Sequence, residues 1–517
     1  MKRIGWLFLI LALSLALTHC GQPEQVGPTA LDALARWVPS NAEIPMFLDL
    51  RPSGEAGRHW ERIRRQLEAN PTAQQGLDAV FHEFRVEELG LDELIVGPAV
   101  MVNEGRTGYI IAQVSDGEAA KDALLQHFKD LKWEQEEHEG RILYHGPTYL
   151  GEWLAWTIHD RLMFYCHGQE PLIQLRALVS LAEADSLAAL SAWRTLRGRL
   201  PETPMGLFFV NFAEQRRRYP PAPNDTSLGT ALNQQLVAMA FAAVPEQEGM
   251  RVEIAGIAAL QTDVPPKVRA LFNLPAVDPA AWTGLPADTA ITLVTHDASV
   301  LWPLLKEAFG LDTDQLRDTI GLDLEADLAS AEGPLAGDFA LAITPPLPEQ
   351  PISQGLPAGQ LLILARGASE AQMANLQAAM EGRGAVFGPR EVQGVALQTQ
   401  AGTEPTGYAI SYGFEGDTLL FGSSPDVIGH GVTAQREGKG LVKTQTFRKV
   451  LAALPKAPSF VVYLNSVPLT SLLQGNMTEE QYQEREEYLL LEAFEAIGLG
   501  WQFTPDRLDG VIYLLVR

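Results

Sequence analysis

Apolar runs of strand length, separated by polar turns, recur along the chain in two series of the same order. In each series, a helix-like segment follows the first run, near 60–67 and 300–309. Two further runs, a second helical segment and hairpins come after it. The matching runs are 44–50 with 290–295, 97–102 with 337–343, and 108–114 with 359–366. Because successive hairpins pair antiparallel strands, the pattern predicts an α+β fold of two tandem copies, each a mostly antiparallel sheet with helices.

One hairpin in each series gives the clearest correspondence. The turn of the first contains Asp160 and the turn of the second contains Asp417, between apolar runs on either side. Further along, we expect one long helix in each copy, with Phe241 and Phe494 at matching positions. A closing strand then completes each copy.

Proline marks the borders of the predicted copies. An aliphatic residue followed by proline leads into a strand at Pro39, Pro201, Pro286 and Pro455, because proline ends a preceding helix and favours an extended entry. The predicted organisation is a signal peptide at 1–19, a lipidated tether at 20–36, a first α+β copy at 37–262, a linker at 263–283, and a second copy at 284–517.

The N-terminal segment differs from the rest of the chain. Lys2 and Arg3 precede an apolar run from Ile4 to Thr18, and Cys20 follows where the sequence turns polar. The run is shorter than the ~20 residues that a membrane-spanning helix needs. A basic start, an apolar run and a cysteine are typical of a bacterial export signal that ends at a lipid-attachment site.

The residues around Cys20 refine this interpretation. Leu17 to Cys20 resembles the lipobox of bacterial lipoproteins, although His19 stands where the family has a small residue. We therefore expect acylation of Cys20 and export, with the protein anchored at the periplasmic face. Gly21 replaces the aspartate that usually retains lipoproteins in the inner membrane, which favours the outer membrane. An ordinary signal peptide or an uncleaved anchor is the alternative.

Charge and cysteine content narrow the classes of partner. The formal net charge is −25 in 517 residues, which repels phosphate backbones and makes nucleic acid an unsuitable partner. The same charge disfavours broad contact with anionic lipid headgroups. Of the two cysteines, only Cys166 remains if Cys20 is acylated, so no intramolecular disulfide can form. Cys166 lies in an apolar run and is predicted to be a buried, inert thiol.

No motif in the sequence points to a particular chemistry. The ten histidines are scattered, and the sequence contains no zinc-binding pair, Walker loop, dinucleotide fingerprint or nucleophile elbow. We therefore assign no catalytic residues, no metal site and no cofactor.

One local sequence stands out in this acidic protein. Arg216, Arg217 and Arg218 are predicted to form a basic, aromatic loop with Tyr219, and the matching place in the second copy lacks it. Guanidinium groups bind phosphate and carboxylate groups, so this run could contact a lipid headgroup, an anionic polymer or an acidic partner. The alternative is a solvated loop that balances local acidity.

Two short motifs carry a family resemblance. Residues 285–288 read Leu-Pro-Ala-Asp, and a Gly-Leu-Asp at 321–323 is followed by an acidic helix and a glycine-rich entry to a strand at Asp338. These features resemble a family of uncharacterised bacterial exported proteins that carry a domain of unknown function. The resemblance covers most of residues 37–517 and implies location in the cell envelope, without an established activity.

The favoured hypothesis is a non-enzymatic envelope lipoprotein with a binding or scaffolding role at the membrane surface. Its expected partners are the membrane, through the lipid anchor, and an envelope protein or lipid. An envelope hydrolase of unrecognised type, or a carrier of a hydrophobic ligand, is the alternative, so whether the protein is an enzyme stays open.

Overall fold

The computed structural model describes two units of the chain separately. The described residues are 30–49, 51–71, 74, 94–104, 107–147, 153–222, 227–262, 264–309, 322–330, 332–346, 359–401, 409–476 and 491–517. Within them, the N-terminal unit comprises 30–222 and 232–261, and the C-terminal unit comprises 262–517 together with 227–231.

The described part of the N-terminal unit contains an antiparallel sheet of ten strands. Their spatial order is β10-β9-β8-β1-β2-β3-β7-β6-β5-β4, and every neighbouring pair is antiparallel. The strands are β1 Pro45–Asp49, β2 Ile95–Glu104, β3 Thr107–Val114, β4 Glu134–His138, β5 Arg141–Pro147, β6 Trp153–His159, β7 Leu162–Gly168, β8 Gly206–Asn211, β9 Leu236–Pro245 and β10 Gly249–Ala258.

Helices cover this sheet with apolar stripes. Leu31, Leu34, Trp193 and Leu196 come from two of the helices and join one buried cluster with strand residues such as Phe47. The helices assigned to this part of the chain are α1 Ala30–Ala35, α2 Gly54–Glu68, α3 Gly117–His127, α4 Pro171–Val179, α5 Ser191–Arg197, α6 Phe212–Arg218 and α7 Leu228–Gln235.

Helix α1 lies in the segment predicted as a tether. Leu31 and Leu34 on this helix are buried, with 6% and 2% of their surface exposed. The last residues of the predicted tether therefore pack into the core of the N-terminal unit. Residues 20–29, like the predicted signal peptide, lie outside the described residues.

The described part of the C-terminal unit also contains a ten-stranded antiparallel sheet. Its order is β20-β19-β18-β11-β12-β13-β17-β16-β15-β14, which is the order of the first sheet with each strand ten places later in the chain. The strands are β11 Ile291–His296, β12 Asp338–Thr344, β13 Gln360–Arg366, β14 Val386–Val392, β15 Val395–Ala401, β16 Ser411–Glu415, β17 Thr418–Gly422, β18 Phe460–Asn465, β19 Phe494–Thr504 and β20 Arg507–Val516.

Both faces of the second sheet are buried. Val294 joins a cluster with Phe447 and Val450, whereas its neighbour Leu293 joins a different cluster with Met373. Successive strand residues point to opposite faces, so separate helices cover the two sides. The helices of this unit are α8 Pro266–Leu271, α9 Ala298–Phe309, α10 Glu370–Gly382, α11 Pro425–Glu437, α12 Gln445–Ala453 and α13 Ser466–Asn476.

The predicted α+β class and the two hairpins are confirmed. Asp160 occupies the turn between β6 and β7 with a positive φ of 54°. In the second hairpin, Gly416 takes the left-handed conformation (φ 64°) and Asp417 follows it in the turn.

The predicted long helices around Phe241 and Phe494 are wrong. Phe241 lies within strand β9, and Phe494 begins strand β19. Strand β9 is buried along almost its whole length, so its apolar residues follow neither strand nor helix periodicity. Its alanines also favour a helix when the sequence is read alone, but pairing with β8 and β10 decides the structure.

The edge strands β4 and β14, one in each described sheet, carry different features that discourage pairing with a further strand. Strand β4 carries Glu134, Glu136 and Glu137, and it pairs only with β5 among the described strands. Strand β14 contains Pro389, which has no backbone N–H to donate, and it pairs with β15. Charge and proline both discourage a further strand from adding to an edge.

The packing of the C-terminal core generates a stability prediction. Phe447 on α12 is fully buried, and its ring meets that of Tyr463 edge-on with 4.9 Å between centroids. We expect Phe447→Ala to lower the free energy of unfolding of this unit by about 3–5 kcal/mol, through lost burial and a residual cavity. Urea unfolding followed by circular dichroism measures it. The matched control Val467→Ala, at an exposed position, should change stability little.

Candidate functional site

Cys20 and the apolar run before it lie outside the described residues. The candidate site residues that the structure does place are the three consecutive arginines near the end of α6. The structure also places Cys166, which was predicted to be buried and inert.

The arginine run belongs to a short helix and not to the predicted loop. Helix α6 spans Phe212–Arg218, and its N-cap Asn211 accepts a hydrogen bond from the backbone N–H of Glu214 at 3.1 Å. Asparagine is a preferred N-cap residue, which explains where the helix begins. The proline-rich segment after Tyr219 then ends it.

The three guanidinium groups point to different partners. Arg216 donates to the backbone carbonyls of Asn233 and Leu236, at 2.6 and 2.7 Å. Arg217 is 67% exposed and donates to the carboxylate of Glu214. Arg217 and Arg218 share the carboxylate of Glu214 while Arg216 binds backbone carbonyls, so the three guanidinium groups do not meet around one external anion.

Arg218 connects the helix to the segment before β1. It donates to Glu214 Oε1 at 2.8 Å, pairs with Glu43 Oε1 at 3.0 Å and donates to the backbone carbonyl of Asn41 at 3.0 Å. Glu214 and Glu43 are each about nine-tenths buried. This ion-pair network holds α6 against the N-terminal unit, and a contact between Arg217 and an external anion stays a prediction.

The network sets the protonation of its central carboxylate. Hydrogen bonds from Arg217 and then Arg218 lower the pKa of Glu214 to about 2, against the opposing effect of burial. Burial alone lowers the pKa of Arg216. Glu214 is thus ionised at any pH at which the protein is expected to work.

Cys166 is a core residue of β7. Its side chain is fully buried beside Tyr109 of β3 in the sheet register, and burial raises the pKa of its thiol strongly. A thiol that does not ionise is a poor nucleophile. The neighbouring histidines, His159 and His167, lie in strands β6 and β7.

Three other histidines in the described segments lie in separate local pairs. His138 contacts Ser180 Oγ at 2.9 Å, His145 lies 3.7 Å from Glu134, and His296 lies 2.8 Å from Asp338. Within the segments that the structure describes, no group of three His, Cys, Asp or Glu side chains could hold a metal ion.

A second basic surface lies on helix α2 and was missed in the sequence. Arg58, Arg62 and Arg65 lie at positions i, i+4 and i+7, so they share one exposed side, which we call the arginine face. The opposite side of α2 buries Trp60, Ile63 and Leu67. The helix itself was predicted, and projecting its arginines onto a helical wheel would have revealed the face.

The arginine face borders a shallow hollow at the start of α2. The hollow is lined by the three arginines, Glu61 and the Pro52–Gly57 turn. A Cβ at Gly57 would lie 2.2 Å from the carbonyl oxygen of Pro52, so only glycine lets the turn lie so close to the helix. The N-cap Ser53 makes no side-chain capping bond.

Comparison with protein families gives a match that covers most of the chain. The sequence profile of a family described as "Protein of unknown function (DUF3352)" matches residues 110–502. No curated protein matches the chain. Two solved structures, crystal forms I and III of TP0453, are 11% and 12% identical to it, with TM-scores of 0.26 and 0.24. Each alignment covers 49% of this chain and 87% or 88% of the other.

None of the described helices combines the length and apolar character that crossing a membrane requires.

The Glu214 network generates a pH prediction. An unfolded glutamate has a pKa of about 4.3, and the folded value is about 2. The network therefore stabilises the fold above about pH 5, and this contribution is lost as the pH falls toward 2. We expect Glu214→Gln to cost about 1–2 kcal/mol at neutral pH and progressively less in acid.

Urea unfolding of both proteins across this pH range measures the difference. Glu183→Gln, at an exposed position, is the control and should track the wild type. A Glu214→Gln penalty that stays constant down to pH 2 would contradict the assigned pKa.

Burial of Cys166 generates a reactivity prediction. We expect a thiol reagent such as dithionitrobenzoate to modify Cys166 orders of magnitude more slowly in the folded protein than in urea, because neither access nor thiolate is available. Absorbance of the released thiolate follows the reaction. Rapid labelling of the native chain at this residue would refute the assignment.

Proposed function

The chain belongs to the DUF3352 family of proteins of unknown function, and we propose that it is an exported lipoprotein with a binding or scaffolding role at a membrane surface. The predicted resemblance to an uncharacterised family is confirmed by this match. The family description names no activity, so the support for the proposal comes from the residues of this chain.

The observation that carries the proposal is the N-terminal sequence. Lys2 and Arg3, the apolar run from Ile4 to Thr18 and Cys20 supply the charge, the apolar segment and the nucleophile that lipoprotein processing requires. Several acyl chains on Cys20 would anchor the protein stably, since each buried CH₂ contributes ~0.8 kcal/mol. A single short acyl chain would not anchor the protein stably.

The start of the described fold supports anchoring close to the bilayer. Helix α1 begins at Ala30 and packs into the N-terminal unit through Leu31 and Leu34. Only residues 21–29 separate it from Cys20, and they could span at most ~30 Å when fully extended. The N-terminal unit would therefore be held next to the membrane.

The two sheets support a repeated plan. Both have ten described strands in the same spatial order, with every neighbouring pair antiparallel. We infer that the chain is two tandem copies of one α+β unit, as the order of apolar runs predicts. Repetition multiplies surface available for contacts, which fits a binding or scaffolding protein. Neither alternative, the hydrolase or the carrier, gains a specific supporting observation from the described segments.

The test of the proposal is acylation at Cys20. We expect cells fed labelled palmitate to incorporate label into the wild-type protein and to place it in the membrane fraction. Cys20→Ser should abolish labelling and release the protein from outer membranes, because the thiol that receives the lipid is absent.

Cys166→Ala is the matched control and should be labelled normally, since its thiol is buried. Label in the Cys20→Ser protein, or wild-type protein found in the cytosol, would overturn the proposal.

A further inference from the structure

We propose that the arginine face of α2 binds the phosphate groups of anionic lipid headgroups, which would orient the N-terminal unit on the membrane. This inference rests on the proposed lipid anchor and deepens it by naming the surface and the ligand chemistry. Arg58, Arg62 and Arg65 are the residues that carry it.

The three side chains have donors available for an external anion. Arg58 makes no hydrogen bond or ion pair within the described structure, and Arg62 has one long contact, 3.4 Å from Nη2 to the carbonyl of Glu246. Arg65 is 73% exposed, and it directs Nε and Nη2 toward Glu61, each at 3.1 Å from Oε1. Because a guanidinium offers five N–H donors in a planar fork, most remain free to meet phosphate oxygens.

The neighbouring charges leave the face positive. Glu61 is the carboxylate that lines the hollow, and it is held by Arg64 at 3.0 Å and by Arg65 at 3.1 Å. Arg64 points away from the face, with 13% of its side chain exposed, and also approaches Glu68. The outer side of α2 therefore presents Arg58, Arg62 and Arg65 beside two carboxylates, the paired Glu61 and the 76% exposed Glu55. Three cations against two anions leave this side net positive, in a chain of net charge −25.

Folding alone does not account for these arginines. Trp60, Ile63 and Leu67 provide the packing of α2, on the side away from the arginine face. Helix α9, which follows the first strand of the second unit as α2 follows β1, has the sequence ASVLWPLLKEAF with a single basic residue. The same place in the strand order thus tolerates a helix without arginine, which points to a role outside the fold.

The positive charge of the arginine face and the short segment before α1 both favour a membrane surface as the ligand. A net-negative protein approaches an anionic bilayer favourably only through a local basic surface. The short segment between Cys20 and α1 would keep the start of α1, at Ala30, within ~30 Å of the headgroups. The hollow at the start of α2 opens to solvent and is lined by all three arginines, so a phosphate group can approach their donors there.

The experiment measures binding to vesicles without the lipid anchor. The chain from residue 20 to 517 with Cys20→Ser is mixed with phosphatidylcholine vesicles, with or without phosphatidylglycerol, and cosedimentation is quantified. We expect binding that requires phosphatidylglycerol and weakens with added salt. Replacing all three arginines by glutamine, which preserves helix propensity, should weaken binding about a hundredfold, since each contributes about fivefold.

Two further variants separate charge at this face from charge in general. Arg58→Lys with Arg62→Lys and Arg65→Lys keeps the charges and should retain most of the binding. A control removes three exposed cations of the C-terminal unit by substitution with glutamine and should bind like the parent; its positions are Arg390, Lys439 and Arg507. Circular dichroism verifies that every variant is folded.

The outcomes are decisive and independent of acylation. Unchanged binding by the glutamine variant, equal losses in the control, or equal binding to both vesicle types would overturn the inference. Retention on heparin without vesicle binding would also overturn it, in favour of a soluble polyanion. Because the assay contains no anchor, failure of palmitate labelling leaves this result intact, and failure here leaves the anchor proposal intact.

Discussion

Each unit depends on an antiparallel sheet whose residues must be sheltered from water on both faces. In the C-terminal unit, Leu293 and Val294 are adjacent in β11 yet belong to separate buried clusters. The hydrogen-bond ladder with β12 and β18 fixes which residue faces which side. A register slip of one residue would exchange the two faces and present each helix with the wrong side chains. The arrangement of helices around the sheet follows from this constraint, because each apolar stripe has only one surface that it fits.

The part of the fold that could be predicted from the sequence is the part set by local chemistry. Turn residues such as Asp160 and the spacing of Trp60, Ile63 and Leu67 on α2 depend on near neighbours, so hairpins and amphipathic helices were visible. Phe241 was misassigned because a strand buried on both faces loses its alternation. What decides such a segment is the pairing with distant strands, β8 and β10, and that information is not local.

The same distinction explains what the sequence showed of the basic surfaces. Arg216, Arg217 and Arg218 attract attention as a run, but consecutive residues on a helix are ~100° apart. Arg216 therefore turns to the carbonyl of Asn233, whereas Arg217 and Arg218 are both engaged by Glu214 within the protein. The arginines of α2 are interrupted in the sequence by apolar and acidic residues, and the helix brings them onto one side. A run of consecutive arginines shows only that the segment is basic. Arginines share one face of a helix when they are spaced three or four residues apart. The partners of Arg218, such as Glu43, are far away in sequence and could not have been inferred.

The ends of the sheets bear on how many copies could work side by side. A protein confined to a bilayer diffuses in two dimensions, so its neighbours meet far more often than they would in the same volume of solution. Under such crowding, an open strand edge would recruit the edge of the next molecule and grow a fibre. The glutamates of β4 and Pro389 in β14 discourage a strand of another molecule from pairing with these two edge strands. Dense coverage of a surface without aggregation is therefore compatible with this fold.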